Sequence, residues 1–461
     1  ADLAALQGTA AQILQLLRHP QPRLDRYETL RTTMSSQFAI TDLQFKRRAT
    51  LYQLPPYLEA SLADWLSSPD PFRVLKLTGA AGMGKSRLAL ALCDYCHAQN
   101  WLAGFVPDNG WPETWTPPRD TIAVLDYAAS KAINGRSSFQ WLESLHKQVG
   151  TVQPPNGRPA RVRIVLIDRS EYGPLWTGWR TSELATDLDK VTLAVDLKPI
   201  RAEFDAIVQA EFQRRLSRSP SEEEAQLLEK VASRLRDDFR PLFALLTADA
   251  AINTSNAGNP VWSPELLLEN ILKAQIRKWQ TACLQDTDLD LLFEATATQG
   301  ACNEDPGFTA RREALPPAKL AALQSLSDPT EGLGPIVPDL LGEFFVLMRL
   351  RGEASVGTHQ TQVIEKQSWK IWNRAWQHEP TALFAGRLLQ DYLPWQPKTG
   401  DNPAEAIMDQ ALERIAKGLV SRGLALCLFA AAWNRPDHCE WSSWLKQGAP
   451  YQARLLSVIC A

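Results

Sequence analysis

Short apolar runs alternate with helix-like stretches along residues 72–200. Helical spacing of apolar positions occurs at 58–66, 87–99 and 138–149, while the runs read as strands at 74–78, 102–106, 121–126, 162–168 and 191–195. Strands that are buried on both faces appear as nearly continuous apolar runs, and their alternation with helices is typical of a parallel sheet. The pattern therefore predicts an α/β core over residues 46–200, a parallel sheet covered by helices.

Helical periodicity replaces these runs beyond residue 200. Pro199 precedes a predicted helix at 202–216. The string Ser219-Pro220-Ser221-Glu222 reads as an N-cap, a proline in the first helical turn and a capping-box glutamate, and Ser263-Pro264 opens another helix in the same way. The chain beyond the sheet is therefore predicted to be mainly α-helical.

Linker-like composition divides the helical part into pieces. Stretches rich in Pro, Gly, Asn and Ser lie at 253–260, 303–308, 325–338 and 396–403. The domains that follow from this division are an N-terminal helical arm at 1–45, the α/β domain at 46–200, a helical domain at 201–260, a second helical or winged-helix-like domain at 261–350 and a C-terminal helical domain at 351–461.

A glycine-rich string follows the first predicted strand. It reads Gly79-Ala80-Ala81-Gly82-Met83-Gly84-Lys85-Ser86 and matches G-x-x-x-x-G-K-[ST], the phosphate-binding P-loop, between a strand and a helix. Such a loop turns successive backbone N–H groups into one concavity, and the following helix directs its partly positive N-terminus there. The alternative is a glycine-rich structural turn. The string predicts nucleotide binding by Gly79, Ala80, Ala81, Gly82, Met83, Gly84, Lys85, Ser86 and Arg87.

Individual side chains of this site have distinct expected roles. Lys85 would reach the β- and γ-phosphates, and the Ser86 hydroxyl would bind Mg²⁺. Asp126 ends an apolar run about 40 residues downstream and would support the Mg²⁺ shell, although a hydrophobic run followed by Asp is also a common strand end. Arg169, after the run at 162–168, would sense the γ-phosphate; its alternative is a salt bridge to Asp168 or Glu171. We expect Lys85, Asp126 and Arg169 to be the catalytic set.

Together these parts resemble a known family. The phosphate loop, Asp126-Tyr127-Ala128, Arg169 and the string Arg240-Pro241-Leu242-Phe243-Ala244-Leu245 look like the signal-transducing NTPases related to AAA+ proteins, the STAND class, which includes NACHT and plant-resistance-type switches and bacterial relatives. The resemblance covers about residues 45–350. It implies that Pro241 lies against the nucleotide, whereas a proline in a first helical turn is the simpler alternative. It also implies that 336–343 belongs to a winged-helix region.

The sequence departs from that family at two points. Relatives often place a second acid just after the metal aspartate, whereas Tyr127, Ala128, Ala129 and Ser130 follow Asp126 here. We therefore expect slow or absent hydrolysis, with Glu171 or Asp168 as substitute bases. Relatives also carry a Gly-Arg pair against the adenine, and its nearest counterpart is Leu54-Pro55-Pro56-Tyr57, so the resemblance leaves the choice between ATP and GTP open.

Composition narrows the cellular setting. Among 461 residues, 49 Lys and Arg nearly balance 52 Asp and Glu, so no nucleic-acid partner is expected, and no apolar run approaches the length that spans a bilayer.

Seven scattered cysteines favour reduced thiols in a cytoplasmic protein. The string Cys93-Asp94-Tyr95-Cys96-His97 matches a haem-attachment pattern, but its place in a predicted helix favours buried thiols. Asp437-His438-Cys439 favours a turn, and the helical spacing of Trp369, Trp372 and Trp376 favours core packing.

Two functional hypotheses from different classes follow. The favoured one is an ATP-binding molecular switch with ATP or ADP and Mg²⁺ as cofactors, whose helical domains contact a protein partner or mediate self-assembly; the Trp-rich C-terminal region is the expected surface. The alternative is an AAA+-like ring ATPase that remodels a protein or nucleic-acid partner. A third hypothesis, a helical interaction module that has lost nucleotide, stays open, and a small-molecule kinase is disfavoured because no Arg-rich lid follows the core.

Overall fold

The computed structural model describes residues 22–26, 43–47, 54–107, 111–112, 115, 117, 119–129, 131–151, 160–169, 174–235, 238–253, 263–327, 332–357, 361–393 and 400–417. Two compact units share the chain: residues 45–198 with 1–32, and residues 199–461 with 33–44. The predicted N-terminal arm lies almost wholly outside the described residues, as do 418–461 and the predicted turn at 437–439.

The first unit contains the predicted parallel sheet. After a 3-10 helix at Phe45–Arg47, its elements are α1 Pro56–Ser67, β1 Phe72–Thr78, α2 Lys85–Ala98, β2 Leu102–Phe105, β3 Thr121–Asp126, β4 Ala132–Ile133, β5 Arg136–Ser137, α3 Ser138–Thr151, β6 Val162–Ile167, α4 Pro174–Thr181, α5 Ala185–Lys190 and β7 Thr192–Asp196. Five strands form one sheet in the order β2-β3-β6-β1-β7, and all its pairings are parallel. The predicted strands are therefore confirmed, with ends shifted by one or two residues.

Alternating residues of each central strand enter the two apolar cores of this unit. Leu75 and Leu77 of β1 pack with α1 and α2, whereas Val74 packs with α3 and α4 on the other face. The same alternation separates Val165 and Ile167 of β6 from Ile164 and Leu166. Burial on both faces explains why each strand reads as an uninterrupted apolar run.

Charged residues interrupt this apolar pattern at Arg73 and Lys76 of β1 and at Arg163 of β6, and Arg163 is the most deeply buried of the three. Arg163 of β6 is fully buried and donates hydrogen bonds to the carbonyl oxygens of Trp65, Leu66 and Ser68 at the end of α1, and to those of Asp70 and Val162. A helix leaves its last carbonyl groups without intrahelical partners. The Arg163 guanidinium supplies those partners and fastens α1 to the sheet.

Three short segments of this unit were not predicted. The hairpin of β4 and β5 turns through Asn134 and Gly135, whose φ angles are 51° and 73°. Positive φ at both central residues is the geometry of the type I′ turn, for which Asn-Gly is the strongest sequence signal. The short helices α4 and α5 lie between β6 and β7, and Trp176 and Trp179 of α4 are buried in the core.

Helices make up most of the second unit, as predicted. They are α6 Arg201–Leu216, α7 Glu222–Ala232, α8 Pro241–Asn253, α9 Pro264–Thr281, α10 Asp286–Ala297, α11 Pro306–Glu313, α12 Pro317–Gln324, α13 Asp339–Leu350, α14 Thr361–Ala375, α15 Glu379–Tyr392 and α16 Pro403–Ala416. Ser263 caps α9 through the N–H of Leu266, as expected. No helix in the described residues is long and apolar enough to cross a membrane.

The start of α7 differs from the prediction. Ser221, not Ser219, is the N-cap: its hydroxyl accepts the N–H of Glu224, and the Glu224 carboxylate accepts the N–H of Ser221. Pro220 therefore precedes the helix instead of lying in its first turn. The capping box needs a glutamate three residues after the cap. Both serines have one, Glu224 for Ser221 and Glu222 for Ser219, so this spacing alone does not choose between them. The Arg218 contact to Glu224 favours the Ser221 register.

Candidate nucleotide-binding site

The predicted site residues of the first unit meet at one edge of its sheet. The strands β1, β6 and β3 are adjacent and parallel, so the loops that follow them leave the same edge. Gly79 to Ser86 follow β1, Asp126 ends β3, and Asp168 and Arg169 follow β6. Ligands of open parallel sheets bind beyond these carboxyl ends.

The loop between β1 and α2 has positive φ angles at its three glycines, Gly79, Gly82 and Gly84, a conformation that favours glycine. At Gly79, φ is +140°, and an added Cβ would lie 2.8 Å from the carbonyl oxygen of Leu197. Gly84 has a left-handed backbone with φ near 80° and is the N-cap of α2. The Gly79 N–H donates to the carbonyl of Arg169 at 3.3 Å, so the start of the loop is bonded to the end of β6.

Lys85 begins α2 and its side chain is buried within the loop. Its ammonium group donates to the carbonyl oxygens of Gly79 at 2.6 Å and Ala80 at 2.9 Å. This places a positive charge beside the first turn of a helix, whose backbone N–H groups have no intrahelical partners. Arg87 lies in the same first turn and is half-buried. The combination of cation, helix terminus and glycine loop suits a phosphate group.

Ser86 and Asp126 contact each other across the site. The Ser86 hydroxyl donates to Asp126 Oδ2 at 2.7 Å, and the other Asp126 carboxylate oxygen accepts the N–H of Tyr127 at 3.1 Å. Magnesium prefers oxygen ligands and usually takes only one or two carboxylates from a protein. A hydroxyl and a carboxylate in contact beside the phosphate loop are therefore a donor set that fits Mg²⁺.

The residues after Asp126 turn back towards β6. Tyr127 has φ of 58°, a left-handed conformation that non-glycine residues seldom adopt. Ala128 then donates its N–H to the carbonyl of Ile167 at 3.0 Å, and Ala129 donates to Asp168 Oδ2 at 2.8 Å. This turn contains no side-chain acid, which agrees with the departure noted in the sequence.

Asp168 and Arg169 occupy the middle of the edge. Asp168 Oδ1 accepts the N–H of Arg169 at 2.8 Å, so both Asp168 carboxylate oxygens accept backbone N–H groups. The link from Asp168 to Ala129 joins loops about 40 residues apart, which no local pattern reveals. Glu171, the other predicted substitute base, lies outside the described residues.

Pro241 belongs to the second unit and is the first residue of α8. Its neighbour Arg240 is buried in the same unit and donates hydrogen bonds to both carboxylate oxygens of Asp238. The Arg240 guanidinium also donates to Asp391 of α15 at 2.9 Å and lies 4.8 Å from the centre of the Phe243 ring. The position of Pro241 fits the simpler interpretation, a proline in the first turn of a helix. Its proposed contact with nucleotide remains a prediction.

The remaining candidates also have defined surroundings. Cys93 and Cys96 are buried in α2, and burial raises the pKa of Cys96 to about 12, so its thiol stays protonated at neutral pH. Leu54 and Tyr57 are exposed at the start of α1. Trp372 and Trp376 pack edge to face in the helical unit, as predicted.

Sequence comparisons found no matching protein-family model and no matching curated protein. Structural comparison found the ORC2 protein of Aeropyrum pernix in ADPNP-ADP complexes, with 11% identity and a TM-score of 0.31, covering 72% of this chain and 97% of the other. It also found CDC6P from Pyrobaculum aerophilum, with 14% identity and a TM-score of 0.29, covering 72% of this chain and 98% of the other. These similarities are remote. The chain's own sheet and loop form an α/β P-loop core followed by helical domains.

Proposed function

We propose that this chain is an ATP-binding molecular switch of the STAND type, in which nucleotide controls conformation or assembly and hydrolysis is slow or absent. Lys85 and the backbone of residues 79–87 would hold the phosphates, and Ser86 and Asp126 would hold Mg²⁺. Arg169 would distinguish ATP from ADP, and Pro241 would report occupancy to the helical unit. Such a switch works because each nucleotide binds one conformation better than the other.

The observation that carries this proposal is the contact between Ser86 and Asp126, at a sheet edge where the described acids Asp126 and Asp168 both accept hydrogen bonds from the protein. Asp126 has the place and partner of a magnesium ligand, the turn through residues 127–129 offers no carboxylate, and both oxygens of Asp168 accept backbone N–H groups. A general base has to accept a proton from the attacking water. Among the described residues, the site has groups that suit phosphate and a metal ion, while its acids Asp126 and Asp168 both accept hydrogen bonds from the protein. This arrangement favours holding nucleotide over hydrolysing it.

The test is to identify copurifying nucleotide and to measure affinity and turnover on the full chain. Calorimetry with ATP and with ADP in the presence of Mg²⁺ should show binding, and released phosphate should indicate negligible turnover. Rapid turnover together with ATP-dependent oligomers would instead support the AAA+-like ring ATPase. No binding of either nucleotide would overturn both hypotheses and favour the interaction module.

A further inference from the structure

Asp168 has a central place among the loops of the candidate site. It follows β6, which lies between β1 and β3 in the sheet. Its backbone N–H donates to the carbonyl of Leu77, at the end of β1, at 3.1 Å. Its side chain accepts the N–H of Ala129, in the turn after β3, at 2.8 Å. One residue thus bonds to the end of β1 and to the turn after β3.

The same carboxylate also fixes the start of the Arg169 segment. Asp168 Oδ1 accepts the N–H of Arg169 at 2.8 Å, and the Arg169 carbonyl accepts the N–H of Gly79 at 3.3 Å. A continuous path of hydrogen bonds therefore runs from the phosphate loop through Arg169 and Asp168 to Ala129. Ala129 lies three residues after Asp126, the candidate metal ligand.

Charge makes these bonds stronger than ordinary backbone contacts. Hydrogen bonds from N–H groups to an ionised carboxylate are shorter and roughly twice as strong as neutral ones. The Asp168 carboxylate therefore bonds to both the turn at 127–129 and the backbone of Arg169, in addition to the backbone bond that joins Ala128 to Ile167.

We propose that Asp168 is a positioning residue that couples Arg169 to the turn after Asp126 and thereby sets the preference of the site for ATP over ADP. The inference rests on the proposed function, because it needs nucleotide at this edge and a role for Arg169 in reading the γ-phosphate. It assigns Asp168 a role other than that of the substitute base, because both of its oxygens accept backbone N–H groups of neighbouring loop segments.

A double-mutant cycle on the full chain tests the coupling. The affinities for ATP and ADP are measured with Mg²⁺ for the wild type, Asp168→Asn, Arg169→Ala and the double variant. An asparagine side chain has one acceptor oxygen and one NH₂ group, so it can satisfy only one of the two N–H groups. We expect Asp168→Asn to lower the ratio of ATP to ADP affinity by about threefold to tenfold, a typical coupling for residues in one network.

Non-additivity is the decisive readout. Because Asp168 acts through Arg169, the double variant should have the same affinity ratio as Arg169→Ala, in which that ratio is close to one. A residue that only supports the fold would reduce thermal stability and leave the ratio unchanged. Independent, additive effects of the two substitutions on the ratio would overturn the proposal.

The chain offers a matched control at the opposite edge of the sheet. Asp120 precedes β3, and its carboxylate accepts the backbone N–H of Arg161, which precedes β6, at 2.7 Å and the Nε–H of the same residue at 2.9 Å. Asp120→Asn therefore weakens the same kind of link between the same two strands, away from the loops. It should lower stability but leave the ATP to ADP ratio at the wild-type value.

Failure of this inference is distinguishable from failure of the proposed function. Wild-type protein that binds neither nucleotide overturns both. A different outcome overturns only the role of Asp168. In that outcome the wild type prefers ATP, Arg169→Ala removes the preference, and Asp168→Asn keeps it. A large fall in turnover with an unchanged affinity ratio in Asp168→Asn would identify a general base and would likewise overturn the positioning role.

Discussion

At the scale of single residues, the proposed function makes Lys85 the side chain on which nucleotide binding should depend most directly. Its ammonium group is held by two loop carbonyls, those of Gly79 and Ala80. Hydrogen bonds that involve a charged group contribute about 1.5 to 3 kcal/mol each, so Lys85→Ala should weaken ATP and ADP binding by roughly a hundredfold. Calorimetry measures the affinity, and circular dichroism should show an unchanged fold.

A surface lysine of the same unit serves as the control for that experiment. Lys147 lies on α3, is largely exposed and pairs with Glu143 one helical turn away. Exposed pairs of this kind contribute about 1 kcal/mol or less. Lys147→Ala should therefore leave both nucleotide affinities unchanged, and an unaltered affinity in Lys85→Ala would remove Lys85 from the site.

The residues of the candidate site differ in how far the sequence could locate them. Lys85 and Ser86 follow from a local string whose spacing encodes their geometry, and Asp126 follows from its place at a strand end. The contact of Asp168 with Ala129 depends on strand order and on the left-handed turn at Tyr127, neither of which is encoded locally. Pairings across the sheet are therefore where sequence reasoning stops.

At the scale of secondary-structure elements, Arg163 determines how α1 is attached to the sheet. Burial lowers the pKa of Arg163 to about 10, yet at neutral pH the guanidinium remains charged and is surrounded by carbonyl oxygens. Replacing it with methionine would leave several buried carbonyl groups without donors, and each such group costs about 1 to 3 kcal/mol. Arg163→Met should therefore reduce the free energy of unfolding by about 3 kcal/mol or more.

Urea denaturation checks this loss, and Arg161 provides the comparison. Arg161 lies two residues earlier, is partly exposed and pairs with Asp120. Arg161→Met should cost about 1 kcal/mol, within the range for accessible ion pairs. Equal losses in the two variants would contradict the anchoring role of Arg163.

The capping box of α7 makes a prediction about pH. The hydrogen bond from Arg218, with further bonds from Ser221, lowers the pKa of Glu224 from its ordinary value of 4.5 to about 2 in the folded chain. A lowered carboxyl pKa contributes stability that is present above pH 4.5 and lost as the pH falls towards 2. Glu224→Gln should destabilise the protein by about 1 kcal/mol at pH 7, and this difference should shrink through that window.

Ser221→Ala gives the contrast for this experiment. It removes the hydroxyl that accepts the Glu224 N–H, and it removes no titrating group. Its cost should stay nearly constant with pH until Glu224 itself is protonated. If the free energies of unfolding of the wild type and Glu224→Gln differ by the same amount at pH 7 and near pH 2, the charge of Glu224 does not stabilise the cap.

Several elements were predictable because their signals are local and physical. Continuous apolar runs predict strands covered on both faces, and the Ser-Pro start of α9 predicts its cap. The hairpin at 132–137 had an Asn-Gly signal that identifies it in retrospect. The shift of the α7 cap from Ser219 to Ser221 shows the limit, because two serines compete there and the contact with Arg218 favours one of them.

At the scale of the whole molecule, the division into two compact units makes the switch proposal measurable. Units with separate cores are expected to unfold in separate transitions. Nucleotide at a hundred times its Kd stabilises the state that binds it by about 2.7 kcal/mol. For units of this size, in which 1 kcal/mol shifts Tm by about 2 to 4 °C, that corresponds to a rise in Tm of about 5 to 11 °C. Binding confined to the P-loop unit shifts one transition only.

A switch requires more than that, because the helical unit must respond to the nucleotide. We expect ATP to raise the Tm of both calorimetric transitions and ADP to raise mainly that of the P-loop unit. At the same nucleotide concentration Lys85→Ala should reduce both shifts to a small fraction of their wild-type size, whereas Pro241→Ala should abolish the ATP-dependent shift of the helical unit alone. A helical transition that is identical with ATP, with ADP and without nucleotide would mean that occupancy is not transmitted, since a ligand can shift only an equilibrium whose two states it binds differently.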